Sequence, residues 1–238
     1  MHESADEHAL ERILGNNEEL ANHNREHFDK MGSLVINLMS APGAGKTSLL
    51  ERSLSVLSKH HSCSVIEGDM VGDLDAQRLR ATGVEVFQIS TGRACHLDAQ
   101  MVARLLHDKR PGRVDYLFIE NVGNLVCPAE FPLGEHLRVV LLSITEGDDK
   151  PLKYPVIFRN CDAVVFTKCD LIPHVNFDLA AANRHVKNLN PNVRSFALSV
   201  KTGQGFEDWI DWLTGGNKGI QGVTLINEAC QNHSGQKN

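Results

Sequence analysis

A glycine-rich loop in the first quarter of the chain constrains the fold more than any other sequence feature. It reads SAPGAGKT over residues 40–47, directly after the apolar run LVINLM and directly before a segment with helical periodicity. Ser40 stands where the full phosphate-loop pattern, G-x-x-x-x-G-K-[ST], has its first glycine. Glycines let backbone N–H groups close around phosphate oxygens, and the start of a helix adds positive potential. The sequence therefore predicts a phosphate-binding strand–loop–helix unit.

Strand-like and helical segments alternate along the rest of the chain. We expect strands at 34–39, 64–67, 84–89, 116–120, 138–144, 163–167 and 194–199, and helices at 74–81, 97–107, 177–189 and 206–213. This alternation favours right-handed crossovers, so we predict an α/β fold of the P-loop NTPase type, with a mostly parallel sheet covered by helices on both faces. The N-terminal helical pattern, over 8–30, is expected to break at Gly15-Asn16. The simplest division is a helical N-terminal extension (1–32), a P-loop domain (33–214) and a polar C-terminal tail (215–238).

Charge and hydropathy exclude several classes of function. The formal net charge of −6 argues against nucleic-acid binding, which needs clustered lysine and arginine. No apolar run approaches the ~20 residues that cross a bilayer, and the N-terminus lacks an apolar signal-peptide core. We therefore expect a cytoplasmic protein with neither a nucleic acid nor a membrane as partner. The six scattered cysteines indicate buried thiols or metal ligands rather than disulfides.

The motif TKCD at 167–170 indicates which base is bound. It closes a strand, as the [NT]KxD element does in GTPases, and the Asp170 carboxylate can accept hydrogen bonds from the ring N–H and amine of guanine. Adenine has no donors at those positions, which favours GTP over ATP. The segment 199–203 resembles the loop that completes a guanine pocket. The predicted nucleotide-binding residues are Gly43, Ala44, Gly45, Lys46, Thr47, Ser48, Lys168, Asp170 and Lys201.

Acidic residues at strand ends supply candidates for Mg²⁺ binding and catalysis. Glu120 ends a strand where this class of protein has a metal-contacting acid, with the switch glycine three residues later. Asp69 and Asp75 flank a glycine-containing loop after the second strand and either is a candidate to position water or Mg²⁺, although helix capping is the alternative. Asp73 is expected to cap the next helix. We assign Mg²⁺ to Thr47, Asp69 and Glu120, and catalytic roles to Lys46, Asp75 and Glu120.

A second cluster predicts a transition-metal site. Cys95-His96 follows the third strand, and Cys127 lies shortly after the predicted switch. Both loops leave the same edge of the sheet, so they can converge although they are far apart in sequence. Thiolate and imidazole together suit Zn²⁺ or Ni²⁺, and three ligands leave a fourth position for water, a partner or a second copy of the chain. The alternative is two buried cysteines and a helix-capping histidine.

Taken together, these segments resemble the HypB family of GTPases, which assist nickel insertion into [NiFe]-hydrogenases. The resemblance runs from about Leu10 to Leu213 and is carried by ILGNNEELANHNREHFD, SAPGAGKTSLLE, EGD, CHLDAQMV, ENVGNLVCPAEFPLGE, EGDDKPLKYP and TKCDL. It implies a SIMIBI-type G domain that uses GTP/GDP and Mg²⁺, with Ni²⁺ or Zn²⁺ bound by Cys95, His96 and Cys127. It also implies a GTP-dependent homodimer whose partners are a HypA-type metallochaperone and the hydrogenase large-subunit precursor.

Other functions remain open at this level. The nickel GTPase of urease maturation carries a Cys-Pro-His motif, whereas Cys127-Pro128 is followed here by Ala129. A nickel or zinc buffer protein with a vestigial nucleotide loop is a second alternative, against which the intact Lys46 and Asp170 argue. The third is an ATP-driven P-loop protein, which base preference would distinguish. The N-terminus has neither a cysteine-rich motif nor a long histidine tract, so we expect no tight nickel storage there.

Overall fold

A parallel β-sheet forms the centre of the fold. The computed structural model describes residues 2–70 and 72–215. Within these ranges the sheet has seven parallel strands in the order β3-β2-β4-β1-β5-β6-β7. They are β1 (Leu34–Ser40), β2 (Cys63–Asp69), β3 (Glu85–Ser90), β4 (Tyr116–Glu120), β5 (Leu137–Ser143), β6 (Ala163–Thr167) and β7 (Arg194–Ala197). Each strand lies within two residues of its expected bounds, and the predicted α/β fold is confirmed.

Helices cover both faces of this sheet. They are α1 (His2–Met31), α2 (Lys46–Leu57), α3 (Leu74–Arg80), α4 (Ala99–Lys109), α5 (Cys127–Glu130), α6 (Lys150–Lys153), α7 (Pro155–Arg159), α8 (Leu179–Leu189) and α9 (Phe206–Leu213), with a 3-10 turn at Cys169–His174. The central strand β1 is buried along its whole length. Its Ile36 packs with Leu50 of α2 and Trp209 of α9, whereas Val35 packs on the other face with Phe28 of α1. A strand covered on both sides is apolar throughout, which explains the run LVINLM. In the part of the chain that is described, no helix is long and apolar enough to cross a membrane.

Parallel pairing places the carboxyl ends of the strands at one edge of the sheet, where sheets of this kind bind ligands. The phosphate loop begins there at Ser40, the last residue of β1. Asp69, Glu120 and Thr167 end β2, β4 and β6 at the same edge. Segments that are remote in sequence therefore converge on one region.

Aspartates stand at the N-terminal ends of three helices, and two of them make a side-chain capping hydrogen bond. Asp98 and Asp178 cap α4 and α8, because each carboxylate accepts a backbone N–H of the first turn. Asp73 precedes α3, but its carboxylate accepts from the Gln77 side chain at 2.7 Å instead. The expected side-chain cap at Asp73 is therefore wrong.

The N-terminal helix α1 is continuous, so the expected break at Gly15-Asn16 is wrong. Glycine inside a helix costs only ~1 kcal/mol relative to alanine, and tertiary contacts offset that cost. Among these contacts, the buried Asn24 side chain donates to Ala99 O at 2.9 Å and to Leu133 O at 3.0 Å. Asn24 thus ties α1 to the start of α4 and to the loop before β5.

This docking generates a stability prediction. Asn24→Ala is expected to lower the free energy of unfolding by about 2 kcal/mol, because two buried carbonyls lose their donor. Chemical denaturation followed by circular dichroism measures the loss. Asn22→Ala is the matched control, since Asn22 lies in the same turn of α1 and is exposed. Helix propensity changes equally in both variants, so equal stabilities would contradict the docking role of Asn24.

Candidate functional site

The phosphate loop needs glycine at two of its positions. Gly43 has a φ of +74° and Gly45 a φ of +98°, a region that side chains other than glycine rarely adopt. Ser40, at the first position of the pattern, is extended and ends β1. Serine therefore replaces the usual glycine without strain, and its hydroxyl accepts a hydrogen bond from Lys46 Nζ at 3.1 Å.

Lys46 is a buried cation surrounded by carboxylates. Burial lowers the pKa of its amine, and Glu120, Asp75, Glu146 and Asp69 oppose that shift, in decreasing order. Three of these four acids are predicted site residues, so the structure brings them to the phosphate loop. Several acidic groups therefore surround one buried lysine, an arrangement that favours binding of an additional cation.

The predicted Mg²⁺ ligands Thr47 and Glu120 are in direct contact. Thr47 Oγ1 donates to Glu120 Oε1 at 2.7 Å, while Glu120 Oε2 is buried without a hydrogen-bond partner. Burial raises the pKa of Glu120 to about 7. A buried, unpaired carboxylate oxygen beside a hydroxyl fits a hard divalent cation, which prefers oxygen ligands. Thr47 and Glu120 would hold Mg²⁺, which would compensate phosphate charge.

Asp69 and Asp75 have different local roles. The Asp69 carboxylate accepts from Met70 N at 2.6 Å and from Gly72 N at 3.1 Å, and so shapes the loop after β2. Asp75 accepts from Arg78 at 3.1 Å within α3. Arg78 also pairs with Glu51 and donates to Ser48 Oγ, which links α3 to the helix that follows the phosphate loop. Sequence analysis did not identify this arginine, because no sequence motif indicates that a residue of α3 contacts Ser48 and Glu51 of α2.

A cavity of about 650 Å³ opens beside the phosphate loop. Its volume falls in the ordinary range for small-molecule sites. The predicted nucleotide-binding residues on its walls are Ala44, Gly45, Ser48, Lys168, Asp170 and Lys201. The phosphate loop and the TKCD segment thus border one continuous space.

Asp170 is held in a fixed orientation at this cavity. Ser199 Oγ donates to Asp170 Oδ1 at 2.6 Å. Lys168 has a positive φ of 60°, which is uncommon outside glycine, and its Nζ donates to Gly43 O at 2.7 Å. Lys168 therefore connects the base-binding segment to the phosphate loop, while Ser199 aims the carboxylate that would recognise guanine.

The three predicted transition-metal ligands lie together. One ligand atom from each of Cys95, His96 and Cys127 lies within 4.8 Å of the other two. The two Sγ atoms are 3.1 Å apart, and Cys95 Sγ is 3.8 Å from His96 Nδ1. All three residues are partly exposed. Such a set leaves room for a metal ion and for a further ligand from outside.

Neighbouring groups orient these ligands. The Asn124 side chain donates to Cys95 O at 3.3 Å, and the His96 ring packs on Phe131 with 4.2 Å between ring centroids. Burial lowers the pKa of His96, which favours the neutral imidazole that binds metals. The hydrogen bond with Cys95 raises the pKa of the Cys127 thiol in the metal-free pair. Metal binding therefore requires release of thiol protons.

Two further buried acids, one beside Glu120 and one beside Lys46, were not assigned from the sequence. Glu67 lies opposite Glu120 in the β2–β4 register, its Oε2 is buried without a partner, and burial raises its pKa to about 8. Glu146 accepts from Ser143 N at 3.0 Å just after β5, and burial raises its pKa. Each of the two residues begins a Glu-Gly-Asp triplet, one at the end of β2 and one shortly after β5. That repeated triplet is the signal that could have identified them.

Comparison with known protein families agrees with this geometry. Residues 34–197 match the family model described as CobW/HypB/UreG, nucleotide-binding domain. The hydrogenase maturation factor HypB of Azotobacter chroococcum mcd 1 is 46% identical over 201 residues, which cover 84% of this chain. The chain spans just under two thirds, 66%, of the length of that relative.

Two crystal structures are similar over most of the chain. HypB from Archaeoglobus fulgidus is 42% identical with a TM-score of 0.79, over 84% of this chain and 98% of that one. HypB from Helicobacter pylori, solved in complex with nickel, is 37% identical with a TM-score of 0.78, over 94% and 99% of the two chains. The resemblance predicted from the motifs is confirmed.

The buried Glu67 generates a pH-dependent stability prediction. Its carboxyl has a pKa of about 8 in the folded chain and returns toward 4.5 on unfolding, so the folded state loses stability as the pH rises through this interval. Glu67→Gln cannot ionise, and its stability gain over the natural chain should be ~3 kcal/mol larger at pH 8 than at pH 5. Denaturation without nucleotide or divalent cation measures this difference. The matched control Glu85→Gln, at an exposed position of β3, should show no such dependence. An equal gain at both pH values would contradict the assignment.

The orientation of Asp170 generates a prediction about base specificity. Asp170→Asn should weaken GDP binding at least about 100-fold, because the amide cannot accept from both donors of guanine. The variant should gain affinity for xanthosine diphosphate, whose base offers a carbonyl where guanine has the amine. Titration with fluorescent nucleotides measures both. Asp211→Asn, on α9, is the control, and unchanged GDP binding by Asp170→Asn would show that another group reads the base.

Proposed function

Because the chain belongs to the CobW/HypB/UreG nucleotide-binding family, and within it to the HypB proteins, we propose that it is a GTPase that helps to insert nickel into [NiFe]-hydrogenase. The observation that carries this proposal is the meeting of Cys95, His96 and Cys127 within 4.8 Å. This cluster lies at the edge of the sheet that also bears the phosphate loop. The Helicobacter pylori relative, solved in complex with nickel, supports nickel as the cargo.

Hydrolysis would depend on positioning and charge compensation. Phosphoryl transfer requires little covalent chemistry from the protein, so the groups that hold the phosphates dominate. Lys46 and the phosphate-loop N–H groups would bind phosphate oxygens, and Mg²⁺ would neutralise charge that develops on them. Asp170 and Lys168 would bind the guanine. Asp75 is our candidate to orient the attacking water, supported by its electrostatic interaction with Lys46.

The incomplete ligand set supports a role in transfer rather than storage. Three protein ligands leave one position of a tetrahedral site open, through which a donor or acceptor protein can exchange the ion. Val126, adjacent to Cys127, is 57% exposed although it is apolar. We propose that a second copy of the chain covers this region in a GTP-dependent homodimer. Together with a HypA-type metallochaperone, the chain would pass nickel to the hydrogenase large-subunit precursor.

Nucleotide state would reach the metal through the loop at 120–123. A Cβ on Gly123 would lie 3.0 Å from Pro42 Cα, so this loop packs directly on the phosphate loop. Any rearrangement around a γ-phosphate would therefore displace it, and Cys127 follows four residues later. A coupling of ~1–3 kcal/mol would change metal affinity by roughly 5- to 150-fold. By thermodynamic reciprocity, nickel would change nucleotide affinity by the same factor.

The proposal is tested by nickel binding. We expect Ni²⁺ affinity to differ at least about 5-fold between the protein bound to GDP and the protein bound to a non-hydrolysable GTP analogue. Cys127→Ala should abolish that site but leave GTP hydrolysis measurable. Cys161→Ala is the matched control, because Cys161 is a buried thiol that donates to Phe158 O. A Ni²⁺ affinity that is the same with both nucleotides and unchanged by Cys127→Ala would refute the metallochaperone role and leave the GTPase assignment standing.

A further inference from the structure

A chain of polar side chains crosses the interior between β4, β1 and β5. Asn121 Nδ2 donates to Asn37 Oδ1 at 3.3 Å, and Asn37 Nδ2 donates to Glu135 Oε1 at 3.1 Å. Arg138 Nε lies 3.1 Å from the same carboxylate oxygen. Asn37 and Asn121 are 0% and 1% exposed. Polar groups buried this deeply are costly unless they are paired, so each link constrains the next.

One end of this polar chain holds the segment that carries His96. Asn121 Oδ1 accepts from Leu97 N at 3.1 Å as well as from Val122 N at 2.9 Å. The Leu97 side chain is fully buried, and a Cβ on Gly68 would lie 2.7 Å from Leu97 Cγ. Leu97 is therefore fixed by its backbone and by its side chain, and the preceding His96 has little freedom to shift.

The other end holds the segment that begins with Cys127. Arg138 Nη2 donates to Pro128 O at 2.6 Å and to Ala129 O at 3.2 Å. These carbonyls belong to α5, whose first residue is Cys127. A helix of four residues has few hydrogen bonds of its own, so the charged donor of Arg138 largely determines where α5 lies.

The same chain begins beside the phosphate loop. Asn121 directly follows Glu120, which accepts the hydrogen bond from Thr47 Oγ1 at 2.7 Å. A movement of Glu120 on cation or nucleotide binding would therefore move the Asn121 backbone as well. The Asn121 side chain is hydrogen-bonded to Leu97 N and to Asn37, so such a displacement would reach the two ligand segments by separate routes.

We propose that Asn121 and Arg138 are positioning residues of the metal site, which together set the separation between His96 and Cys127 and transmit the nucleotide state to it. Neither residue binds the ion. The proposal rests on the proposed function, because it takes the transition-metal ion to be held by Cys95, His96 and Cys127. It assigns the coupling between nucleotide state and metal affinity to two specific side chains. The closeness of Cys127 to the loop at 120–123 in the sequence is not by itself the cause.

The test is a Ni²⁺ titration of the full chain with GDP and with a non-hydrolysable GTP analogue, followed by Ni²⁺–thiolate charge-transfer absorption. Asn121→Ala and Arg138→Gln should each shift the absorption bands and reduce the affinity difference between the two nucleotides from at least about 5-fold to less than about 2-fold. Asn121→Asp keeps the acceptor for Leu97 N, and Arg138→Lys keeps a cation beside Glu135. These conservative variants should restore the spectrum at least in part.

Asn190→Ala is the matched control, since Asn190 also donates to two carbonyls, those of Arg159 and Cys161, at the opposite end of β6. It should leave the spectrum and the nucleotide dependence unchanged. GDP affinity and thermal unfolding show which variants are folded, and a folded variant at either Asn121 or Arg138 decides the question.

The outcomes separate the two proposals. In one outcome, the natural chain shows nucleotide-dependent Ni²⁺ binding that Cys127→Ala abolishes, and the Asn121 and Arg138 variants have the same absorption bands and nucleotide dependence as the natural chain. The positioning role is then wrong and the proposed function stands. The same conclusion follows if Asn190→Ala produces equal changes, because the effect is then general destabilisation. If the natural chain shows no binding that depends on Cys127, both proposals fall.

Discussion

The hydrogen bond from Thr47 to Glu120, 2.7 Å long, is the interaction on which the rest of the site depends. It joins the first turn of the helix after the phosphate loop to the last residue of β4, which pairs with β1 in the sheet. Because both partners are buried, neither can move alone without losing a hydrogen bond in a low-dielectric environment. The phosphate loop and the loop at 120–123 therefore respond to a ligand together.

The burial of neighbouring carboxyl groups is the second constraint. Glu67 and Glu120 face each other on adjacent strands, and the charge of Lys46 opposes the upward shift of the Glu120 pKa. Burial raises the pKa values of both carboxyls, to about 8 and about 7, which favours their protonated forms near neutral pH. A divalent cation would replace those protons at the Glu120 side. These carboxyl groups therefore suit the divalent cation that we propose to bind here.

Two ligand sites share one edge of the sheet because parallel strands deliver all their carboxyl ends to it. Strand β4 contributes Glu120 to one candidate site, and the segment after it contributes Cys127 to the other. The polar chain through Asn121, Asn37, Glu135 and Arg138 runs from the residue after Glu120 to the carbonyls that follow Cys127. In the coupling that we propose, a ligand at the phosphate loop would shift the contacts of this chain and so bias the position of the Cys127 segment. The burial of the polar chain also explains why α5, only one turn long, has a defined position.

Sequence alone determined the phosphate loop, the positions of the strands along the chain and the candidate residues of both sites. All of these depend on local periodicity and short motifs. Tertiary structure decided the rest. It made α1 continuous across Gly15, where docking through Asn24 outweighs propensity, and it left Asp73 at the N-cap position of α3 without a side-chain capping hydrogen bond. It also buried Glu67 opposite Glu120 and aimed Arg138 at α5. Periodicity shows which face of an element is buried, but only the packed structure decides which side chains meet across it.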